Sequence, residues 1–273
     1  MGLDPPRAER PSRTSLLAWR RGPAGPTAAD DARENEFLRF HVDAGALIHE
    51  VCAETLVAAH RSETDVTKRK LLALRVFAEY VGALESMGAW GWAIRNRADA
   101  PLLIDAFLSY RVSDVSDFYA TVAGHDGDLA SLLRLPPTQA ITDVLRKRGA
   151  PHGGLLSDFY ALDENLKTAA THYFHPQEIF VLTYNKAKHG APIVEDPDLP
   201  PDGYLLMGPN LDSQSAGRYA FYKFGSGDEI VAHTNKLVRW VSRSTQALVA
   251  FAEKLKTDGL LYETGAHGGA QSS

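Results

Sequence analysis

The sequence predicts an all-α helical bundle with a small β-hairpin inserted before the last helix, and three observations lead there. Apolar residues recur at three- and four-residue steps through most of the chain, the period of helices that bury one face. Short aromatic-rich runs, YLLMG and RYAFYKF, are confined to one region behind the Pro-rich stretch EDPDLPPDG. With 44% hydrophobic residues, a chain of 273 can bury a sizeable core, as one domain or as two closely packed halves.

Residues 1–30 are rich in Pro, Arg, Gly and Ala without sustained periodicity and are expected to form a disordered arm. A helical half is expected over 31–154. In it Phe37, Phe40, Ala44, Leu47 and Val51 define a first buried stripe on a core helix that ends near His60. A second, longer helix begins near Asp65, carries Leu74, Phe77, Val81, Leu84, Gly88 and Gly91 on one face, and stops around Arg97 ahead of Pro101. Its glycines follow no strand and form no phosphate-loop pattern. Small side chains there let a neighbour approach closely, with Trp90 and Trp92 filling the flanks. Shorter helices follow: PLLIDAFLSY, SDVSDFYATVA with Ser113 or Ser116 as caps, DLASLLRL, and TQAITDVLRKRG starting at Thr138 behind Pro136-Pro137.

A second helical half is expected over 155–262. Phe159, Leu162, Leu166, Ala169 and Tyr173 continue the helical period, and Pro176 divides or kinks the run. After the β segment a last helix is expected from Asn235, with Val238, Val241, Thr245, Leu248, Ala252 and Leu255 as its core stripe. Residues 263–273 are expected to be a flexible tail.

A net charge of -5 and a pI of about 6.1 argue against a generally basic surface of the kind that grips nucleic acid non-specifically. The single cysteine, Cys52, excludes an internal disulfide framework and reads as a small buried thiol. The start lacks the apolar core of a secretory signal, Pro6 breaks the myristoylation pattern of the opening Met-Gly, and no apolar run is long enough to span a bilayer. A cytoplasmic location without membrane attachment is the expectation, and the Ala, Arg, Gly and Asp usage fits a bacterial source of high G+C content.

The chemistry concentrates in Tyr184-Asn185-Lys186-Ala187-Lys188-His189-Gly190. On a helix, Asn185 and His189, four apart, share a face and address one ligand, with Lys186 three residues from His189. The same residues also read as a helix stop: cations complement the negative helix end, Gly190 suits a left-handed cap and Pro192 blocks continuation. Other constellations carry less. Arg146 and His152 are separated by the helix breakers Gly149 and Pro151, and Arg146-Lys147-Arg148 reads as a solvated helix end. His172, His175 and Glu178 lack a zinc-protease pattern and are interrupted by Pro176; Tyr219, Phe221, Tyr222 and Phe224 read as hairpin packing. Neither a nucleophile elbow nor a cofactor motif is present, so no cofactor and no metal are expected.

Over about residues 155–262 the chain resembles the HEPN (higher eukaryotes and prokaryotes nucleotide-binding) helical domains, through long helices, a motif near a helix end and a final helix after an insertion. Ribonuclease members of that family carry an Arg, a polar residue and a His at short spacing. Here YNKAKH keeps the polar Asn185 and His189 but has Tyr184 where the Arg stands. The resemblance implies a composite site between two protomers, hence a homodimer, with His189 and Asn185 in the catalytic positions and Tyr184, Lys186 and Lys188 as binding residues. It also implies RNA, a nucleotide or a protein as partner, and a role in stress or phage defence. Tyr184 cannot supply Arg's permanent charge or its paired phosphate contact. Three functions follow as expectations: a degenerate, non-catalytic HEPN-like binding or interaction module; a metal-independent endoribonuclease using His189; and a helical scaffold.

Overall fold

The computed structural model describes residues 26–147, 153–174, 193–194, 199, 203–209 and 219–262, most of them helical. Helix α1, Ala28–Asp43, starts where Thr27 and Asp30 cap each other: the Asp30 amide donates to the Thr27 hydroxyl at 3.2 Å and the Thr27 amide to the Asp30 carboxylate at 3.0 Å. The single stripe expected from Phe37 to Val51 is in fact divided. The chain leaves α1 at Ala44, makes one tighter turn over Gly45–Leu47 and re-enters a helix as α2, Ile48–Ser62. Gly45 weakens the helix there and admits the neighbouring rings, since a Cβ would lie 2.8 Å from His41 Cδ2. The break changes which faces turn inward. Phe40 and Val51 are 59% and 61% exposed, whereas Leu38, Ala53 and Val57 are buried.

Asp65 caps the next helix by accepting from the Lys68 amide at 3.0 Å, and α3 runs Val66–Arg95, close to the expected bounds. It is the central element, packed against α2 and against the three helices defined next. Short helices α4 (Leu103–Ser109) and α5 (Val112–Ala123) cover its C-terminal half, and α9 (Asp228–Thr257) lies along it. Gly88 and Gly91 make room for α5: a Cβ at Gly88 would sit 2.7 Å from both Tyr119 and Val115, and one at Gly91 would enter the Phe118 ring. Trp90 is buried and stacks on Phe107 at 4.3 Å. Ser113 and Ser116 are inside α5 and are not its caps; the turn is closed by Asp114, whose carboxylate accepts from the Arg111 amide at 2.8 Å.

Helix α6 is a single turn, Leu129–Leu132, and α7, Thr138–Lys147, starts directly behind Pro136-Pro137. Helix α8, Gly153–Phe174, buries Phe159, Leu162, Leu166, Ala169 and Tyr173 against α5 and α9. Strands β1 (Ile193–Val194), β2 (Gly203–Pro209) and β3 (Tyr219–Gly225) pair antiparallel in that order, with Leu206 opposite both Ile193 and Tyr222. Helix α9 begins at Asp228 rather than at Asn235, two turns earlier than expected. Asp228 and Glu229 complement the positive helix end and explain the earlier start. The stripe from Val238 to Leu255 is buried as expected, and one core cluster draws on helices from α1 to α9.

Two polar joints close the end of the bundle where α3 and α9 both finish. Arg97, 2% exposed, donates to the carbonyls of Leu261, Ile94 (2.8 Å), Leu133 (2.8 Å) and Arg134 (2.6 Å), and burial pushes its pKa down to about 10. Glu34, fully buried on α1, accepts from the Leu103 and Ile104 amides at the start of α4, from the Tyr262 hydroxyl at 2.9 Å and from Lys256 at 2.8 Å. Each joint satisfies buried polar groups that would otherwise cost about 1–3 kcal/mol apiece. Among the described residues, no helix is long and apolar enough to cross a membrane.

Candidate functional site

Tyr184, Asn185, Lys186, Lys188 and His189 lie outside the described residues, as do His152, His175 and Glu178. The structure does define the two helices that flank the Tyr184–His189 motif in sequence. In the last turn of α8, His172 bonds the Tyr80 hydroxyl through Nδ1 and packs on Trp240 of α9 at 5.7 Å. Trp240 donates to Asn165 of α8 at 3.1 Å. These contacts fasten α8 to α9 and to α3. His172 therefore packs in the joint between these helices.

Two other sequence candidates, Arg146 and Cys52, fall at the surface. Arg146 pairs with Asp143 of its own helix at 3.3 Å. Cys52, expected to be buried, is exposed, because the divided α1–α2 path turns Val51 and Cys52 outward together. Tyr219, Phe221, Tyr222 and Phe224 fall on β3, and the register sets Phe224 opposite Tyr204 and Phe221 opposite Met207.

The described residues bring together a constellation that the sequence does not reveal. His49, in the first turn of α2, lies between two side chains of α3: its Nδ1 is 2.9 Å from Glu79 Oε2 and its Nε2 is 3.1 Å from Ser86 Oγ. The ionised carboxylate accepts only, so Nδ1 carries the proton and Nε2 accepts from the Ser86 hydroxyl. Glu79's other oxygen is 3.8 Å from Arg75, one turn earlier. Arg75, Glu79, Gly82 and Ser86 recur at helical spacing on one stripe of α3, and Gly82 leaves the gap the imidazole fills. A Cβ at Gly82 would come within 2.6 Å of His49 Cε1. The site is partly open, with the His49 and Glu79 side chains 22% and 14% exposed.

The neighbouring residue turns to a different helix. Glu50 accepts from Arg243 of α9 through both oxygens, at 2.9 and 3.0 Å, and this hydrogen bonding, with the carboxylate's charge, raises the Arg243 pKa. Arg239 lies 3.4 Å from Glu50 and also bonds Glu54. The first turn of α2 is thus held to α3 by His49 and to α9 by Glu50, which fixes the imidazole on two sides. The glycines of α3 were marked in the sequence as places of close approach, but the polar stripe of Arg75, Glu79 and Ser86 was not. His49, thirty positions before Glu79 and in a different helix, carried no local signal.

Among the described residues, no group of three or more His, Cys, Asp or Glu is arranged to hold a metal ion. Comparison with known proteins yields no matching family model, no matching curated protein and no matching solved structure.

Proposed function

We propose that the protein is a HEPN-like module whose degenerate motif is non-catalytic towards RNA and binds a phosphate-bearing ligand, a nucleotide or RNA, through Asn185, Lys186, Lys188 and His189. The observation that carries this reading is the motif: a polar residue and a His four apart, two lysines beside them, and Tyr184 in place of the Arg. The cations and the amide suffice to hold a phosphate. The missing guanidinium removes a group that transition-state stabilisation depends on, where loss of a single donor costs about 10²–10³ in rate. A helical bundle is the architecture the resemblance implies, and the long helices α8 and α9, fastened to each other through Trp240, support that reading. On this reading the strand segment between those helices is the hairpin insertion and two copies associate around the motif. A bacterial, cytoplasmic role in stress or phage defence is part of the same proposal.

Replacing Asn185 and His189 together by Ala tests it. Two hydrogen bonds to charged phosphate are lost, so affinity for single-stranded RNA or ATP should fall about tenfold or more at a stated, moderate salt. The urea midpoint should stay within the parent's range. Binding unchanged by the double substitution, or no binding by the parent at low salt, assigns the motif to ending a helix.

A further inference from the structure

We propose that Ser86 is an activated nucleophile, with His49 as its base and Glu79 as the group that positions the base, and that it accepts acyl groups from activated esters. The proposal rests on the described residues alone and is independent of the motif at Tyr184–His189.

The geometry meets the two requirements of such a unit. The hydroxyl is 3.1 Å from Nε2, within reach of proton transfer, and the carboxylate is 2.9 Å from Nδ1, which fixes the tautomer with its lone pair towards Ser86. The carboxylate and the imidazole are each held in turn. Arg75 approaches the free oxygen of Glu79, and the Glu50–Arg243 pair anchors the turn that carries His49. Ser86 itself is half-buried, and the partial exposure of His49 and Glu79 leaves the group open to a small substrate.

The same structure restricts the substrate. Ser86 is in the middle of the 30-residue α3, where backbone amides are committed to carbonyls one turn back and do not converge on an oxyanion. An absent oxyanion donor costs about 10²–10³ in rate. Amides are therefore excluded as substrates in practice, and esters with a good leaving group, such as aryl esters, are the class that reacts. In the first step the Ser86 O–H bond breaks, its proton moves to Nε2, Oγ bonds to the acyl carbon, and the aryloxide leaves with the electron pair and takes up that proton. Water then attacks the acyl-serine, passes a proton through Nε2 back to Oγ, and releases the carboxylic acid. Deacylation lacks the same donor and must also expel the Ser86 oxygen, a poorer leaving group than an aryloxide, so it is the slower step and the acyl-serine accumulates.

The test uses the full chain, a fluorophosphonate probe and p-nitrophenyl acetate, with peptide mass spectrometry to locate adducts. The expected result is an adduct on Ser86 of the native protein, lost in urea, and a burst of p-nitrophenolate absent from Ser86→Ala. His49→Gln should slow labelling by about 10²-fold or more. Glu79→Gln should lower the maximal acylation rate about tenfold with the half-saturating ester concentration unchanged, a split that a merely structural role does not produce. Labelling of the native parent needs no variant to fold. Ser86 left unmodified in the native protein, or modified equally fast in native and urea-unfolded chains or in His49→Gln, overturns the proposal and leaves the three residues as a joint between α2 and α3.

Discussion

At Gly88 a single hydrogen atom decides whether α5 can close on α3. Alanine is the better helix former by about 1 kcal/mol, so Gly88→Ala would stabilise an isolated helix. In the folded protein the new methyl meets Tyr119 and Val115 at 2.7 Å, and both are buried. Tyr119 cannot retreat without losing the bond its hydroxyl donates to the Leu84 carbonyl at 2.7 Å. Overpacking costs about 1–3 kcal/mol, and between two buried side chains that cannot retreat the upper part of that range applies, against the propensity gain of about 1 kcal/mol. Gly88→Ala should therefore lower stability by roughly 1–2 kcal/mol in urea denaturation; a stabilised variant would mean that α5 does not pack there. The glycine-rich face of α3 was legible in sequence as a site of close approach, because missing side chains on an apolar stripe have few other uses. What fills the gaps was not. Tyr119 and Phe118 come from α5, and His49 from α2, at separations that no local pattern reports.

Helices were legible where one stripe and two end signals agreed. Asp65 and Arg95 bound α3 near their expected places, and Pro136-Pro137 sets the start of α7. The expectation failed where periodicity alone was followed: the regular spacing from Phe37 to Val51 runs through Gly45, and the chain breaks there although the period does not. The buried carboxylate Glu34 was equally hidden, since its partners Leu103, Lys256 and Tyr262 come from two distant segments. That joint makes an alkaline weakness. Burial opposes the Lys256 charge, but its bonds to Asp31 and Glu34 outweigh this and raise its pKa; burial and the Glu34 charge raise Tyr262 well above 10.0. Native Lys256 and Tyr262 both hold their protons more tightly than the unfolded chain does. The stability they contribute is complete below about pH 10 and is lost as pH rises through the folded values. Urea unfolding between pH 8 and pH 11 should show stability falling from about pH 10 upward, and Tyr262→Phe should flatten part of that fall. An identical pH slope for parent and Tyr262→Phe would remove Tyr262 from the account.

At the scale of the whole molecule, the bundle class was legible from composition and period, because the apolar stripes cannot all remain in water and α3 offers them one common axis. The functional proposal depends on Tyr184, Asn185, Lys186, Lys188 and His189, which the sequence alone singles out. Its central claim is that this motif binds phosphate without cleaving RNA because a cation is missing where Tyr184 stands. The most direct measurement is cleavage of single-stranded RNA in EDTA by the parent, Tyr184→Arg and the corresponding double variant with His189→Ala. The account predicts a silent parent, cleavage created by Tyr184→Arg as the guanidinium meets the phosphate while His189 moves the proton, and silence again without His189. Strong cleavage by the parent that depends on His189 would contradict the non-catalytic claim, and a folded Tyr184→Arg variant inactive on diverse RNAs would contradict the claim that one missing charge is what separates binding from catalysis.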